Sequence, residues 1–462
     1  MASTTAAVRA LRERIVGDVF VRGDADYERF RRGWELSIDQ YPALVLVPRE
    51  VSDIVAGVRM ATESGLGVAV QSTGHGVLYP ADDHVLIVTS RLSRVDVDVG
   101  ARTARVQAGV LWRQVLEAIK PHGLAALVGS SPDVGVVGYM LGGGIGWLSR
   151  RYGFGADSLR RIQLVTADGA IRHASTDENP DLFWGLRGGG GNFGVVTAME
   201  FELYPVPTVY GGNLIYPAEH ARDVVRFYRD WIEQIPDELT SWLAIVKFPP
   251  LPEVPEAFRG KTLVLLSGAF AGKAVDGEPW LRPWLDWRAP LDNTFREMPF
   301  SEVGTIAHDP VEPLALFGSS EMLDDLTDAA IDAFVAQATD PSSPISLNVL
   351  RHVGGAIARV PTEATAIGNR DAKLYLLTAG PTPTPEATAA MKNAVERYRA
   401  LLNPHVRGGV WMNFMSGNGA GAEARMGEFY SPETLERLLA LKAKYDPNDV
   451  FRFGFQLGKH PL

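Results

Sequence analysis

A chain of 462 residues with 46% hydrophobic and 22% charged residues is long enough for two or three structural units with sizeable cores, which excludes a disordered or fibrous protein. Its formal net charge of -10 opposes nucleic-acid phosphates and anionic membranes as main partners, and the absence of cysteine removes disulfides, thiolate metal sites and cysteine nucleophiles. No apolar run approaches the length that crosses a bilayer. At the N-terminus, Arg9, Arg12, Glu13 and Arg14 interrupt the apolar residues of MASTTAAVRALRERIVGDVF. That spacing predicts an amphipathic helix in place of the continuous apolar core of a secretion signal, and a cytoplasmic location is expected.

From 41 to 120, short β-rich runs alternate with helical patterns. Ala43 to Val47 predicts a strand, Val51 to Ser64 a helix with apolar Val51, Ile54, Val55 and Val58 at helical spacing, and Leu66 to Val70 a second strand. This β-α-β unit runs into QSTGHG (71 to 76), which sets His75 between two glycines. Taken alone, such a histidine reads as a loop residue satisfying a nearby carbonyl. Strands are predicted at 85 to 88, 95 to 99 and 104 to 108, where VDVDV alternates with period two, and a helix from Val110 to Ile119 stops before Pro121.

Glycine then dominates, in GSSPDVGVVGYMLGGGIG (129 to 146) and LRGGGGNFGVV (186 to 196), with strand-like IQLVTADGAI (162 to 171) between them. With the loop at His75 these make three glycine-rich loops after β-type sequence. Such repetition implies a backbone that closely approaches a large ligand with a phosphate-bearing tail. Common nucleotide motifs do not account for it. Trp147 stands where G-x-G-x-x-G from Gly142 needs its last glycine, and no loop closes with the Gly-Lys-Ser or Gly-Lys-Thr of a P-loop. No G-x-S-x-G serine elbow occurs, and the histidines show no H-x-x-x-H or H-E-x-x-H spacing, so no metal site is expected. After Tyr204 a second α+β region carries Trp231, Trp242, Trp280, Trp284 and Trp287, with helices expected at 323 to 337 and 385 to 402. The chain turns glycine-rich near Met412, forms a predicted helix at 431 to 444 and runs into YDPNDVFRFGFQL (445 to 457).

The order of QSTGHG, GSSPDVGVVGYMLGGGIGWLSRRYG, TADGAIRHAS, NPDLFWGLRGGGGNFGVVTAMEFELYP and YDPNDVFRF resembles the FAD-linked oxidases of the vanillyl-alcohol oxidase and p-cresol methylhydroxylase (PCMH) superfamily, in the branch similar to berberine bridge enzyme. The likeness covers roughly residues 40 to 205 and the last 50, and more loosely GGAIARVPTEATAIGNRDA (354 to 372). It implies a two-domain α+β flavoprotein. Residues 1–206 would form a PCMH-type FAD-binding domain of two α+β subdomains, joined by a returning segment at 413–462, and 207–412 an α/β substrate domain built on an antiparallel sheet.

In that family a histidine attacks the flavin 8α-methyl carbon, and the position falls on His75, so the resemblance implies FAD held by one covalent 8α-histidyl link. Gln71, Ser72, Thr73, Gly74 and Gly76 would surround it. Many relatives add a cysteinyl link to flavin C6; Ser131 stands at that place, so none is expected. Val134 occupies a position where the family's oxidases tend to carry valine, which points to dioxygen as electron acceptor. Gly135, Gly138, Gly142, Gly143, Gly144 and Gly146 are expected to cradle the pyrophosphate, with Tyr139 facing the flavin pyrimidine and Val196, Asn413 and Gln456 beside the cofactor.

The catalytic base does not carry over. The family's Tyr-x-Asn is Trp411-Met412-Asn413 here, and tryptophan accepts no proton. His-Arg-Asp-Ala becomes Asn369-Arg370-Asp371-Ala372, while Asp446-Pro447-Asn448-Asp449 and Gly454-Phe455-Gln456 replace Asp-Pro-x-Asn and Asn-x-Asn. Tyr79, Tyr139, His352 and Asn413 remain candidates for the catalytic role. The expected function is an FAD-dependent oxidase moving a hydride from an organic substrate (an alcohol, sugar or secondary metabolite) to flavin N5, with dioxygen as acceptor and no nucleic-acid or membrane partner. The tryptophan-rich middle region points to an aromatic or stacked sugar substrate. The alternatives are a flavoenzyme of secondary metabolism that cyclises or rearranges its substrate, and a binding protein that has lost the flavin. The oligomeric state stays open.

Overall fold

In the computed structural model, which describes residues 2–415 and 425–457, the chain is a mixed α+β protein whose described strands form three sheets. The first contains β1 (Asp18–Phe20), β2 (Leu44–Val47), β3 (Val68–Gln71) and β4 (Val85–Val88) in the order β1-β2-β4-β3. β2 and β3 both run parallel to β4, which lies between them. The expected β-α-β unit therefore exists around the helix Val51–Glu63, but its strands are not neighbours. β2 and β4 are buried along their whole length, as a strand covered on both faces must be, and this explains their unbroken LVLV and VLIV. The N-terminal amphipathic helix, Ala2–Arg14, lays Val8 and Leu11 on the same core.

The second sheet is antiparallel: β5 (Val95–Asp98), β6 (Thr103–Gln107), β7 (Leu159–Val165), β8 (Ile171–Ala174) and β9 (Val195–Glu202), in the order β5-β6-β9-β7-β8. What reads as one strand-like run at 162 to 171 is a hairpin. Thr166-Ala167-Asp168-Gly169 turns the chain, with Gly169 at φ +71° and its N–H donating to the Thr166 carbonyl at 2.8 Å. Nor is 129 to 146 a plain loop, because its middle folds into the helix Val136–Leu141, which buries Val136, Met140 and Leu141.

The third sheet, also antiparallel, spans the middle of the chain: β10 (Thr208–Pro217), β11 (Leu239–Lys247), β12 (Thr262–Phe270), β13 (Asp292–Asn293), β14 (Arg296–Pro299), β15 (Leu316–Leu323), β16 (Leu347–His352) and β17 (Leu374–Pro381). Its order is β13-β10-β12-β11-β16-β17-β15, with β14 beside β10. Strand alternation gives it two apolar faces. Leu243, Ile245, Leu350 and Leu376 pack with Val224, Tyr228, Val395 and Tyr398 of the covering helices, whereas Trp242, Ala244, Val349 and Tyr375 join the core of the first 200 residues. The helix expected at 323 to 337 starts later: Leu323 still ends β15, and Thr327 caps the helix Asp328–Thr339 by accepting from Ala330 N at 3.2 Å.

The C-terminal segment returns to the first sheet. Val68 N donates to Val450 O at 2.7 Å, and Val450 and Phe451 lie in the core around β2 and β4. A buried ion pair ties the middle region down as well. Arg370 donates to both carboxylate oxygens of Asp157, at 2.6 and 3.0 Å, with the two side chains 2% and 9% exposed. Removing one charge of such a pair strands the other away from water. Asp157→Asn should therefore cost about 3–5 kcal/mol, read as a lower urea midpoint, and an unmoved midpoint would show the pair to be idle.

Candidate functional site

Between the second sheet's glycine segments and the inner face of the third sheet lies a cavity of about 530 Å³. Its floor is β3 with residues 72 to 79, parts of the stretch between Gly129 and Ile145, and Gly190, Gly191, Gly194 and Val196. Its roof is one face of three strands: Leu316 and Gly318 of β15, Leu347 and Arg351 of β16, Leu377 and Ala379 of β17. Met412 to Met415 and Phe453 to Phe455 close the sides.

His75 is on this wall. Its loop is gripped by the segment before it, since Trp34 N and Glu35 N donate to the carbonyls of Thr73 and Gly74 at 2.8 and 3.2 Å. Gly74 is at φ +78°, and a Cβ there would come within 2.5 Å of Gly33 Cα, so only glycine fits. The Trp34 ring stacks on the imidazole, centroids 4.4 Å apart, and Thr73 Oγ1 lies 2.8 Å from Nδ1. Burial lowers the His75 pKa to about 4, against a weaker opposing pull from Asp133. The ring is neutral at physiological pH.

The glycines separate into two groups. At Gly76, Gly138, Gly191 and Gly454, all on the cavity wall, an added Cβ would meet no protein atom within 4 Å. No described protein atom accounts for the missing side chains there, and each position opens on space that a ligand would fill. Ser72 Oγ and the Tyr139 hydroxyl, also on the wall, are buried without a partner among the described residues. These open glycines and orphaned hydroxyls fit a large cofactor with several acceptor atoms.

Gly143, Gly144 and Gly146, expected on the cradle, do not line the cavity. Their Cβ positions would strike the Trp411 ring at 2.9 Å, the Tyr139 ring at 2.3 Å and Val128 O at 1.7 Å, so they are glycine to let protein pack on protein.

An FAD binding domain matches residues 42–175, and a berberine and berberine-like segment matches residues 411–454. The chain is an FAD-binding oxidoreductase that carries a berberine-like segment. It is 29% identical to glucooligosaccharide oxidase of Sarocladium strictum, over 92% of this chain and 90% of that one. It is 27% identical to (R)-6-hydroxynicotine oxidase of Paenarthrobacter nicotinovorans, over 96% and 97%. Among solved structures, the BBE-like 1 protein of Physcomitrella patens shares the fold at a TM-score of 0.84, with 20% identity over 98% of this chain and 100% of that one. These findings weigh against the flavin-free binding protein.

In this FAD-linked oxidoreductase the other expected residues fall out as follows. Gln71, Ser131, Val134, Gly135 and Gly142 reach the cavity with Val196, and Gln71 is braced by Gln40 Nε2 at 3.0 Å. Asn413 reaches it too, but its amide spans backbone, accepting from Gly144 N and donating to Tyr139 O, both at 3.1 Å. That is a clamp. Tyr139 is pushed far above the ordinary phenol range by burial, so it stays protonated and can donate but not serve as base. Tyr79 lines the cavity.

Two expected residues lie outside it. Gln456 turns away to donate to Arg452 O at 2.9 Å, and His352 lies half-buried against Arg150, where desolvation first and that guanidinium second hold it well below its usual pKa. Trp411 also lies off the wall, wedged between Phe154 and Tyr375. Four of the middle-region tryptophans, Trp231, Trp280, Trp284 and Trp287, pack under the sheet's opposite face and do not line this cavity. Trp34, Glu35, Asp309 and Arg351 belong to the wall and were not singled out from sequence. The signal for Arg351 is present in LNVLRH, where a charge follows Leu347 and Val349 on one face of the strand.

Proposed function

We propose that the protein is an FAD-dependent oxidase, with the cofactor joined to the chain by one bond from His75 to the flavin 8α carbon, and that residues 1–206 with 413–462 hold FAD while 207–412 shape the substrate pocket. The observation that carries this reading is the neutral His75 imidazole on the wall of a glycine-opened cavity. Bound there, FAD supplies a hydride acceptor and a route for the electron pair to dioxygen.

The chain's own residues supply the rest. Thr73 and Trp34 fix the ring of His75, and its unprotonated state leaves a nitrogen lone pair free for bond formation. Gly76, Gly138 and Gly191 bring backbone to the cofactor without obstruction, and Tyr139 offers its hydroxyl hydrogen. Val134, Val137 and Val196 make that side of the cavity apolar, and Val134 supports dioxygen as the acceptor. So do the two curated relatives, both named as oxidases. Their names, a glucooligosaccharide and a hydroxynicotine, support a small organic substrate, an alcohol, sugar or secondary metabolite.

Peroxide measured against substrate loss, over a panel of aldoses and benzylic and secondary alcohols in air, tests this reading. Stoichiometric peroxide is expected from at least one of them. Flavin bleached by a substrate without peroxide would overturn the oxidase assignment and favour a dehydrogenase that passes its electrons to another acceptor, whereas a substrate converted with neither bleaching nor peroxide would favour the rearranging alternative.

A further inference from the structure

Arg351 is a charged wall residue whose chemistry the cofactor reading leaves unused. It projects from the inner face of β16, registered against Trp242 of β11 on one side and Tyr375 of β17 on the other. Only 6% of it is exposed. The guanidinium carbon lies 3.9 Å from the Trp242 ring centroid and 4.5 Å from that of Phe414. Among the described residues no hydrogen bond or ion pair engages its head, and Nε is buried without a partner. Asp309, on the same wall, attracts it electrostatically without forming an ion pair.

A guanidinium carries five N–H donors and remains charged even in this setting. Aromatic faces offset part of the cost of desolvating the charge but satisfy none of those donors. A buried cation with open donors on a cavity wall is complementary to a planar anion that can accept two parallel hydrogen bonds. Around it the pocket is apolar, with Leu347, Leu377, Met412 and Phe414 on the wall. We infer that Arg351 is the carboxylate-binding residue of the substrate pocket, so that the substrate is an organic acid whose apolar or aromatic body lies along those four residues. This rests on the reading of the roof as the substrate side of an FAD site.

Calorimetric titration of the purified protein with benzoate, and with benzamide as its uncharged counterpart, tests the inference without needing turnover. Benzoate should bind about tenfold or more tighter than benzamide, the difference expected of a charge-assisted, bidentate contact. Arg351→Met, which keeps the apolar stem, should lose benzoate by about 30-fold or more while leaving benzamide unchanged, and Arg351→Lys should fall between. Equal affinity for the two probes, no benzoate binding, or full benzoate binding by a folded Arg351→Met protein would each overturn it. The comparison of probes on the native chain stands even if the variants fail to fold. Flavin content, read separately from absorbance, shows whether the cofactor assignment or only the carboxylate assignment has failed.

Discussion

Acid precipitation of the native protein is expected to give a yellow pellet and a colourless supernatant, and of the His75→Ala protein a white pellet. A non-covalent flavin is released when the fold is destroyed, whereas a bond to a side chain survives. The chain contains no cysteine, and the position of a second link is Ser131, whose hydroxyl is a far weaker nucleophile than a thiolate. Loss at His75 therefore cannot be masked by another anchor. The acid dependence of the attachment should be equally distinctive. Protonation removes the lone pair that would bond the flavin, and burial holds the His75 pKa at about 4. The folded site favours the neutral ring, so reactivity is present above that value and lost only as the pH falls through it. Apo-protein mixed with FAD should become flavinylated at nearly the same rate at pH 8 and pH 6, whereas an ordinary imidazole would lose half its rate near pH ~6.5. A yellow pellet from His75→Ala would place the bond on another residue. Half-loss near the ordinary histidine value would show that the loop does not tune the ring.

The motif QSTGHG and the glycine-rich stretches were legible as places where backbone meets something closely, and the structure puts both on one cavity. Sequence alone did not separate the glycines. Gly138 and Gly143 look alike in GYMLGGGIG, yet one opens on empty space and the other packs under Trp411. A missing side chain records that space is needed, not whether protein or ligand fills it. The tryptophans misled for a related reason: Trp231 and Trp284 are apolar bulk for a helix-covered face, and only the alternation along β11 shows that Trp242 points the other way. Arg351 carried a readable signal, but a lone charge in a strand becomes informative only once the inner face of the sheet is known. Likewise Arg370 reads as one letter of a family pattern until its partner Asp157, distant in sequence, is seen beside it.

Gly138→Leu should give a protein that folds at least as well as the native one and carries no flavin. Gly138 lies inside the helix Val136–Leu141, where its Cβ would meet no atom within 4 Å. Leucine there removes the conformational cost of glycine in a helix, about 1 kcal/mol, so Tm should hold or rise. The added isobutyl group has only the cavity to occupy, and if the cofactor crosses this face the two exclude each other. Gly143→Ala makes the opposite prediction. Gly143 sits at φ +105°, and its Cβ would press on Trp411 at 2.9 Å, so even a methyl group strains the backbone and lowers Tm. What remains folded should still bind FAD, because that glycine does not face the cavity. Flavin-to-protein absorbance ratio and Tm, measured on both variants, separate the two roles. A flavin-loaded Gly138→Leu protein with native Tm would mean that the cofactor does not pass over this helix, and the glycine-opened cavity would lose its strongest connection to FAD.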